Sequence, residues 1–475
     1  MSVSLRSRIT PAPGHPSVAE RAAAGKAARA AMPRSRHAEL VLAPGRDPVG
    51  LIEREGEGRL ADLLPIRHAR MNQSALAFYR GTASLMAGDL FASPSAGLNV
   101  QLCGDAHLSN FGVFGSPDRA LVFDLNDFDE TLPGSFDWDV KRLAASFALT
   151  GRALGIALAT RREIVLEAVG WYRRAIRDFA DLGNLGVWYS RLDAAQIDRM
   201  VSAIRGTRSG RAFEQAATKA RSRDHTRAVG RLTEVVAGKL RFVSRPPLIV
   251  PIDEFIPADR DRDQVEEQLN ELLRRYRRSL QQDRRKLLDQ YRYVDLAHKV
   301  VGVGSVGTRC WMALFVGKDD ADPLVLQVKE ASPSVLEAFA GKSRYPNAGQ
   351  RVVEGQRLMQ AASDIFLGWI RNQAGLDGNV RDFYFRQLWD WKGSIDVETV
   401  DAEGLRAYAR MCGWTLARAH ARSGDRVALA SYLGKTDVFD KAVATFAESY
   451  ADVAEADYAA FGQAVESGRL PVGQA

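Results

Sequence analysis

Cysteine is scarce in this chain. Three occur in 475 residues, Cys103, Cys310 and Cys412, far apart and with no C-x-x-C pair. That excludes a disulfide framework and a cysteine-built zinc site, and it points to a reducing cytoplasm. Long apolar runs are missing too. No stretch approaches the roughly 18 residues that span a bilayer, so no membrane partner is expected. The basic N-terminus has no continuous apolar core of the kind a secretory signal needs. A large surplus of one charge is also lacking, since 65 Lys+Arg stand against 58 Asp+Glu, a net charge of +7. This permits a phosphorylated ligand without arguing for a polyanion. What is present is 46% hydrophobic and 26% charged residues, the balance of a globular protein large enough for several lobes.

The pattern divides the chain into four parts. Residues 1–45 read as a flexible basic leader rich in Pro, Ala and Arg, with one helix. Residues 46–294 hold a β-hairpin, "FGVF" and "ALVFDL" joined by "GSPDR", set among helices. The stretch 241–255, broken by Pro246, Pro247 and Pro251, reads as a loop or edge segment, and a long charged helix follows it. Residues 295–395 turn β-rich, with one helix near 349–363, and residues 396–475 are helical. The basic run "RRYRRSLQQDRRK" alternates with Leu280 and Leu287 at helical spacing. It reads as a solvated helix with an apolar stripe, so nucleic acid is not an expected partner.

Three features of the β-rich part carry chemistry. Gly302, Gly304 and Gly307 fit G-x-G-x-x-G. They lie between two strand-like runs, the context of a hairpin whose backbone N–H groups can approach phosphate oxygens. Alone, such a triplet also marks any tight turn. Lys329 lies in "LVLQVKEA", an apolar strand where an ammonium needs a partner. Glu354, on the next helix in "GQRVVEGQ", is the preferred partner, with Glu330 and Glu337 as rivals.

The hairpin region carries the rest. Asp105 and Asn110 are five apart in "GDAHLSN", the spacing of a general base and a magnesium-binding amide in H-R-D-x-x-x-x-N. A second oxygen ligand is expected beyond the hairpin. Spacing from Asn110 favours Asp124, whereas the word "DF" and the twelve-residue step to Asp139 favour Asp127. Asp127 is preferred, with Asp124 as the runner-up or a second ligand. Oxygen donors of this kind suit Mg²⁺, and the D-x-D-x-D-G spacing of a calcium loop is absent. Arg80 and Lys141-Arg142 could face phosphates or form structural ion pairs. His107 is a loop hydrogen-bonding group rather than a base beside Asp105.

Together these residues resemble the protein-kinase-like superfamily, especially aminoglycoside and choline phosphotransferases with their "HGDxHxxN … IDF" segment. Nearly the full length is more similar still to a bacterial domain-of-unknown-function family that carries "GDAHLxNFG", "FDLNDFDET" and "GxRVVEGQ". The resemblance implies an α+β, two-lobed, kinase-like fold with a large helical C-lobe, and ATP and Mg²⁺ as cofactors. Asp105 would be the base. Asn110 and Asp127 would hold the metal. Lys329, positioned by Glu354, would hold the α- and β-phosphates beneath the glycines. Two departures stand out. Cys103 replaces the usual His, and the order is inverted, because Asp105 precedes Gly302 by almost two hundred residues. The inversion reads as a circular permutation, with "LRAYARMCGWTLARAHARS" as the helix that ordinarily leads into the catalytic loop. In an unpermuted alternative Asp425 of "HARSGD" would be the base, but Ala430 then stands where Asn is required. The expected activity is phosphoryl transfer from ATP to a hydroxyl of a small-molecule acceptor. The alternatives are a nucleotide-binding pseudokinase or a kinase-like AMP transferase.

Overall fold

The computed structural model describes residues 16–221, 225–255, 262–300, 306–372, 379–388 and 393–473. Helix accounts for 55% of the described residues and strand for 16%, so the molecule is α+β with a dominant helical part. Among the described residues no helix is long and apolar enough to cross a membrane.

The helical part is built around Phe136–Ala153, Leu158–Asp181, Ala402–Ser423 and Val438–Glu466. Their apolar faces meet in one core that includes Leu143, Phe147, Ile176, Leu416 and Phe446. The helix Ala402–Ser423 starts where the Asp401 carboxylate accepts from Gly404 N at 2.9 Å, an N-cap that satisfies an otherwise orphan donor. Into this body are set β1 (Asn99–Leu102), the hairpin β2 (Phe111–Gly115) and β3 (Leu121–Leu125), and β4 (Leu132–Ser135). β1 pairs with β4, so the chain between them forms a closed loop that carries the acidic residues. A two-residue strand, β5 (Leu192–Asp193), flanks β3, and β6 (Thr233–Val236) pairs with β7 (Lys239–Phe242).

The second part is a six-stranded antiparallel sheet. Its strands are β8 (Ile249–Pro251), β9 (Arg292–Lys299), β10 (Cys310–Val316), β11 (Pro323–Ala331), β12 (Gly368–Asn372) and β13 (Arg381–Gln387). They lie in the order β12-β13-β11-β10-β9-β8. The proline-broken stretch supplies β8, an edge strand, where a missing N–H is tolerated. Alternation along β11 sends Leu324, Leu326 and Val328 to one face, into a core with Phe383, Phe385 and Tyr276. The long charged helix is two helices, Arg262–Ser279 and Gln282–Leu288. Tyr276 of the first stacks on Phe385 at 4.0 Å and donates to Phe366 O at 2.6 Å. Within its basic run Arg274 and Arg275 pair with Glu271, and Arg277 pairs with Asp289.

The leader differs from expectation. From Ser17 on it is packed against the body. Ser17 and Glu20 form a capping box for the helix Val18–Ala31. Gly25 of that helix lies so close to the helix Arg426–Leu433 that a Cβ would sit 2.1 Å from Ala428 O. His37 is buried against the Tyr432 hydroxyl at 2.7 Å.

Candidate functional site

The other face of the sheet is apolar toward β9 and β10, where Val325 packs with Met312 and Leu314, and polar toward β13, where it lies over the loop between β3 and β4. Gln327 and Lys329 of β11 alternate with the apolar set, and Lys329 is in register with Tyr384 of β13. Lys329 is buried, and its ammonium bonds the Asp129 carboxylate and lies 3.9 Å from Asp127 Oδ2. Burial opposes the charge on Lys329, but Asp127 and Asp129 outweigh it and hold the ammonium above its ordinary range. Tyr384 donates its hydroxyl to Asp129 at 2.8 Å. Arg386 donates to Gln327 at 2.8 Å and to Asn126 O at 3.2 Å.

The helix Ala348–Met359 clamps the same loop. Arg351, buried, donates to the carbonyls of Thr131 at 2.8 Å, Asp129 at 2.7 Å and Ser332 at 2.8 Å. One turn on, Gly355 is required, because a Cβ there would meet the Thr131 side chain at 2.4 Å. Glu354 faces elsewhere and pairs with Arg357 at 3.3 Å. The expected Lys329–Glu354 pair is therefore replaced by Lys329–Asp129. The rival Glu330 pairs with Arg309 and Arg381. Glu337 bonds the backbone of Ser334.

Below the loop, the helix Phe136–Ala153 fixes Asp105. Asp139 in its first turn accepts from Cys103 N at 2.7 Å and Gly104 N at 3.0 Å. Gly104 has φ +87°, and a Cβ would sit 2.2 Å from Glu130 O, so only glycine fits there. One turn later, Arg142 donates to Asp105 Oδ1 at 2.8 Å, with its guanidinium over the Tyr79 ring at 3.7 Å. Burial raises the Asp105 carboxyl above its ordinary value, and Arg142 acts against that rise. Burial, with Arg80 and Arg142 nearby, pushes His107 well below its ordinary value, so its imidazole is neutral. His107 Nε2 lies 3.6 Å from Asp105 Oδ2. Asn110 donates through Nδ2 to Asp105 O at 2.6 Å, and Asn126 N donates to Asn110 O at 2.8 Å.

Asp105 and Asn110, between β1 and β2, thus adjoin the loop between β3 and β4 that carries Asp127, and Lys329 reaches that loop from the sheet. Asp124 is not. It is buried in an ion pair with Arg418 of the helix Ala402–Ser423. It also accepts from Leu125 N at 2.9 Å and Ala361 N at 2.8 Å, a set of bonds that leaves it a structural anchor rather than a ligand. Asp425 caps its helix, accepting from Val427 N at 3.0 Å, and pairs with Arg21 at 2.8 Å, so it stands in for no base. Gly302 and Gly304 lie outside the described residues. Gly307, with φ +88°, accepts through its carbonyl from Leu60 N at 2.8 Å. The three cysteines are buried, and burial pushes the Cys103 thiol well above its ordinary value.

Among the described residues no group of three His, Cys, Asp or Glu side chains is placed to hold a metal. The oxygen donors expected from the sequence are the Asp127 carboxylate, which is partly exposed, and the Asn110 amide. That fits Mg²⁺, which needs one or two protein oxygens and completes its shell with water and phosphate. It does not fit a metal that demands a full protein cage.

Fold and site define an α+β protein whose polar sheet face closes over an acidic loop rooted in a helical body. The family described as "uncharacterized protein conserved in bacteria (DUF2252)" matches residues 59–464, and the chain belongs to that family. No curated protein and no solved structure matches it.

Proposed function

We propose that this chain is an ATP- and Mg²⁺-dependent phosphotransferase acting on a hydroxyl of a small molecule. Its fold is read as a circularly permuted, two-lobed kinase-like arrangement. The sheet Ile249–Gln387 is the upper lobe and the helical body the lower one. The observation that carries this reading is the 3.9 Å approach of Lys329 Nζ to Asp127 Oδ2, from elements that the sequence keeps about two hundred residues apart. It supports a reading in which Lys329 would meet the phosphates and Asp127 the metal ion, with Asp105, which feels the Asp127 charge, close by.

Asp105 is the base. Arg142 engages Oδ1, which leaves Oδ2 to accept the acceptor's proton, and a carboxyl raised by burial is a better base than a free one. The acceptor oxygen forms a bond to the γ-phosphorus. The bond from that phosphorus to the bridging oxygen breaks, its electron pair leaves on ADP, and the hydroxyl proton passes to Asp105. Lys329 orients the phosphates, and Asp129 with Tyr384 orients Lys329. Asn110 and Asp127 would hold Mg²⁺, which supplies charge neutralisation to the phosphates.

The test is a thermal-shift series with ATP, Mg²⁺ and EDTA, run beside a phosphate-transfer screen on a metabolite pool. Wild type should be stabilised by Mg²⁺–ATP, since a ligand that binds only the folded state raises its melting temperature. Asp127→Asn should lose the Mg²⁺-dependent part of the shift. Asp105→Asn should keep the shift and lose transfer. No shift in wild type would sink the proposal.

A further inference from the structure

Three arginines that the proposed reaction does not use lie on the segments just before and within the first helices of the body. Arg67 is fully buried. Its Nη2 donates to Glu55 at 2.9 Å and to Gly81 O at 3.0 Å, while its Nε and Nη1 are buried with no hydrogen-bond partner. Arg80, the residue before Gly81, ends the helix Ala75–Arg80, and its Nε is likewise buried without a partner. Its guanidinium interacts with the Asp105 charge. Arg59 donates to Val306 O at 2.6 Å, next to Gly307, and lies within the fields of Arg67, Asp129 and Glu130. Burial and Arg67 lower it to about 10.

Burying like charges is costly unless counter-charges or hydrogen bonds repay the lost solvation. Here the repayment is incomplete. Glu55 is the carboxylate bonded to Arg67, and it also accepts the Ser84 hydroxyl. Asp105 is engaged by Arg142. Arg67 and Arg80 thus carry buried guanidinium N–H groups without acceptors, and Arg80, which feels the charges of Asp105 and Glu398, links them to the carboxylate suited to take a hydroxyl proton, an arrangement that suits an oxyanion. Arginine's planar fork matches phosphate and carboxylate alike.

We propose that Arg59, Arg67 and Arg80 form an anion subsite beside Asp105 that holds an acidic group of the acceptor, so that the acceptor is an alcohol bearing a phosphate or a carboxylate. The acceptor role rests on the phosphotransferase reading, whereas the subsite can be tested without it. The experiment titrates inorganic phosphate, and separately malonate, into the full chain by calorimetry, with and without a saturating non-hydrolysable Mg²⁺–ATP analogue. Wild type should bind at least one anion saturably. Arg80→Gln should weaken that binding at least tenfold, with Arg80→Lys in between and Arg59→Gln as a second variant. The preferred anion names the group on the acceptor. Binding should persist with the analogue present. Absence of saturable binding, binding unchanged in both Arg80→Gln and Arg59→Gln, or displacement of the anion by the analogue would overturn the proposal. If the analogue itself fails to bind while the anion binds through Arg80, the subsite stands and the phosphotransferase reading falls.

Discussion

Lys329 of β11 is bonded to Asp129, two hundred residues earlier, and Glu354 takes no part in that contact. The pair ties the sheet to the acidic loop and is reinforced by the Tyr384 hydroxyl. Removing one member of a buried pair costs more than the pair contributes, because it strands the other charge. Asp127 remains near Lys329 and softens the loss. Asp129→Asn should therefore destabilise the chain by about 2 kcal/mol, below the ~3–5 kcal/mol of a fully stranded buried charge. Glu354→Gln, which loses a partly exposed pair, should cost less than about 0.5 kcal/mol. Urea unfolding of both variants decides the matter, and equal losses would return Glu354 to the role of lysine partner.

Asp124 and Arg418 are each about 1% exposed, and they join the end of β3 to the helix Ala402–Ser423. Asp124→Asn should cost ~3 kcal/mol or more, the size expected when a buried guanidinium loses its carboxylate. The double replacement Asp124→Leu with Arg418→Met should recover much of that loss, since an apolar pair of similar volume avoids the desolvation penalty. Denaturation midpoints of the single and double variants measure the effect. Recovery in the double variant marks Asp124 as structural, and Mg²⁺-dependent stabilisation lost in the single variant but not in Asp127→Asn would mark it as a metal ligand.

These two pairs show where reading the sequence stops. The hairpin was legible because "GSPDR" separates two β-rich runs, and β11 because Lys329 interrupts apolar alternation. The word "GDAHLSN" was legible as the carrier of Asp105 and Asn110, but not that its glycine sits where a Cβ would strike Glu130 O. Which carboxylate among Asp124, Asp127 and Asp129 meets which cation was not legible. That choice depends on the register of β11 against β13 and on a helix nearly three hundred residues downstream of Asp124. Glu354 was a reasonable partner by helical spacing, yet Arg351 and Gly355 hold the face that meets the loop. One helix in the leader was legible, and Ser17 followed by Glu20 is the signature of its capping box, but nothing local shows that this helix packs on Arg426–Leu433. Arg80 stood out in "FYRG" as a residue that could face a phosphate, but nothing local marks Arg59 or Arg67, and their placement with Arg80 comes only from the way the first helices fold together.

Glu130 titrates far from its ordinary range. Burial pushes its carboxyl up to about 7, although the Arg351 charge and the Val335 N–H, which donates to it at 2.7 Å, act the other way. Between about 4.5, the ordinary value, and about 7, the folded chain keeps a proton that the unfolded chain has released. Stability from this group is therefore complete below that window and is lost as pH rises through it. Glu130→Gln removes the dependence. The difference in urea midpoint between wild type and Glu130→Gln should fall steadily across the window and level off above neutrality. A difference that does not change with pH would mean that the folded carboxyl is already ionised.

Arg142 sets the charge state of Asp105. It donates to Oδ1, its guanidinium is held over Tyr79, and its Nη2 donates to Tyr79 O at 2.7 Å, so it cannot swing away. Burial raises the Asp105 carboxyl, and the Arg142 charge is the largest influence against that rise. Arg142→Met leaves the burial in place and removes the opposing charge, so Asp105 must titrate at higher pH. A base acts only when ionised, so the acid limb of the pH–rate profile should move up with it, and turnover near the limb should drop while saturating rates at high pH survive. Arg142→Lys keeps the charge without the fork and should move the limb less. Stranding Asp105 should also cost the fold about 3 kcal/mol, and a melt must show each variant folded at the assay temperature. The decisive measurement pairs the pH–rate profile with direct carbon NMR titration of the Asp105 carboxyl. If carboxyl and limb move together, Asp105 is the base. If the carboxyl moves and the limb stays, another group takes the proton, and the role of Asp105 contracts to holding Arg142 and the loop.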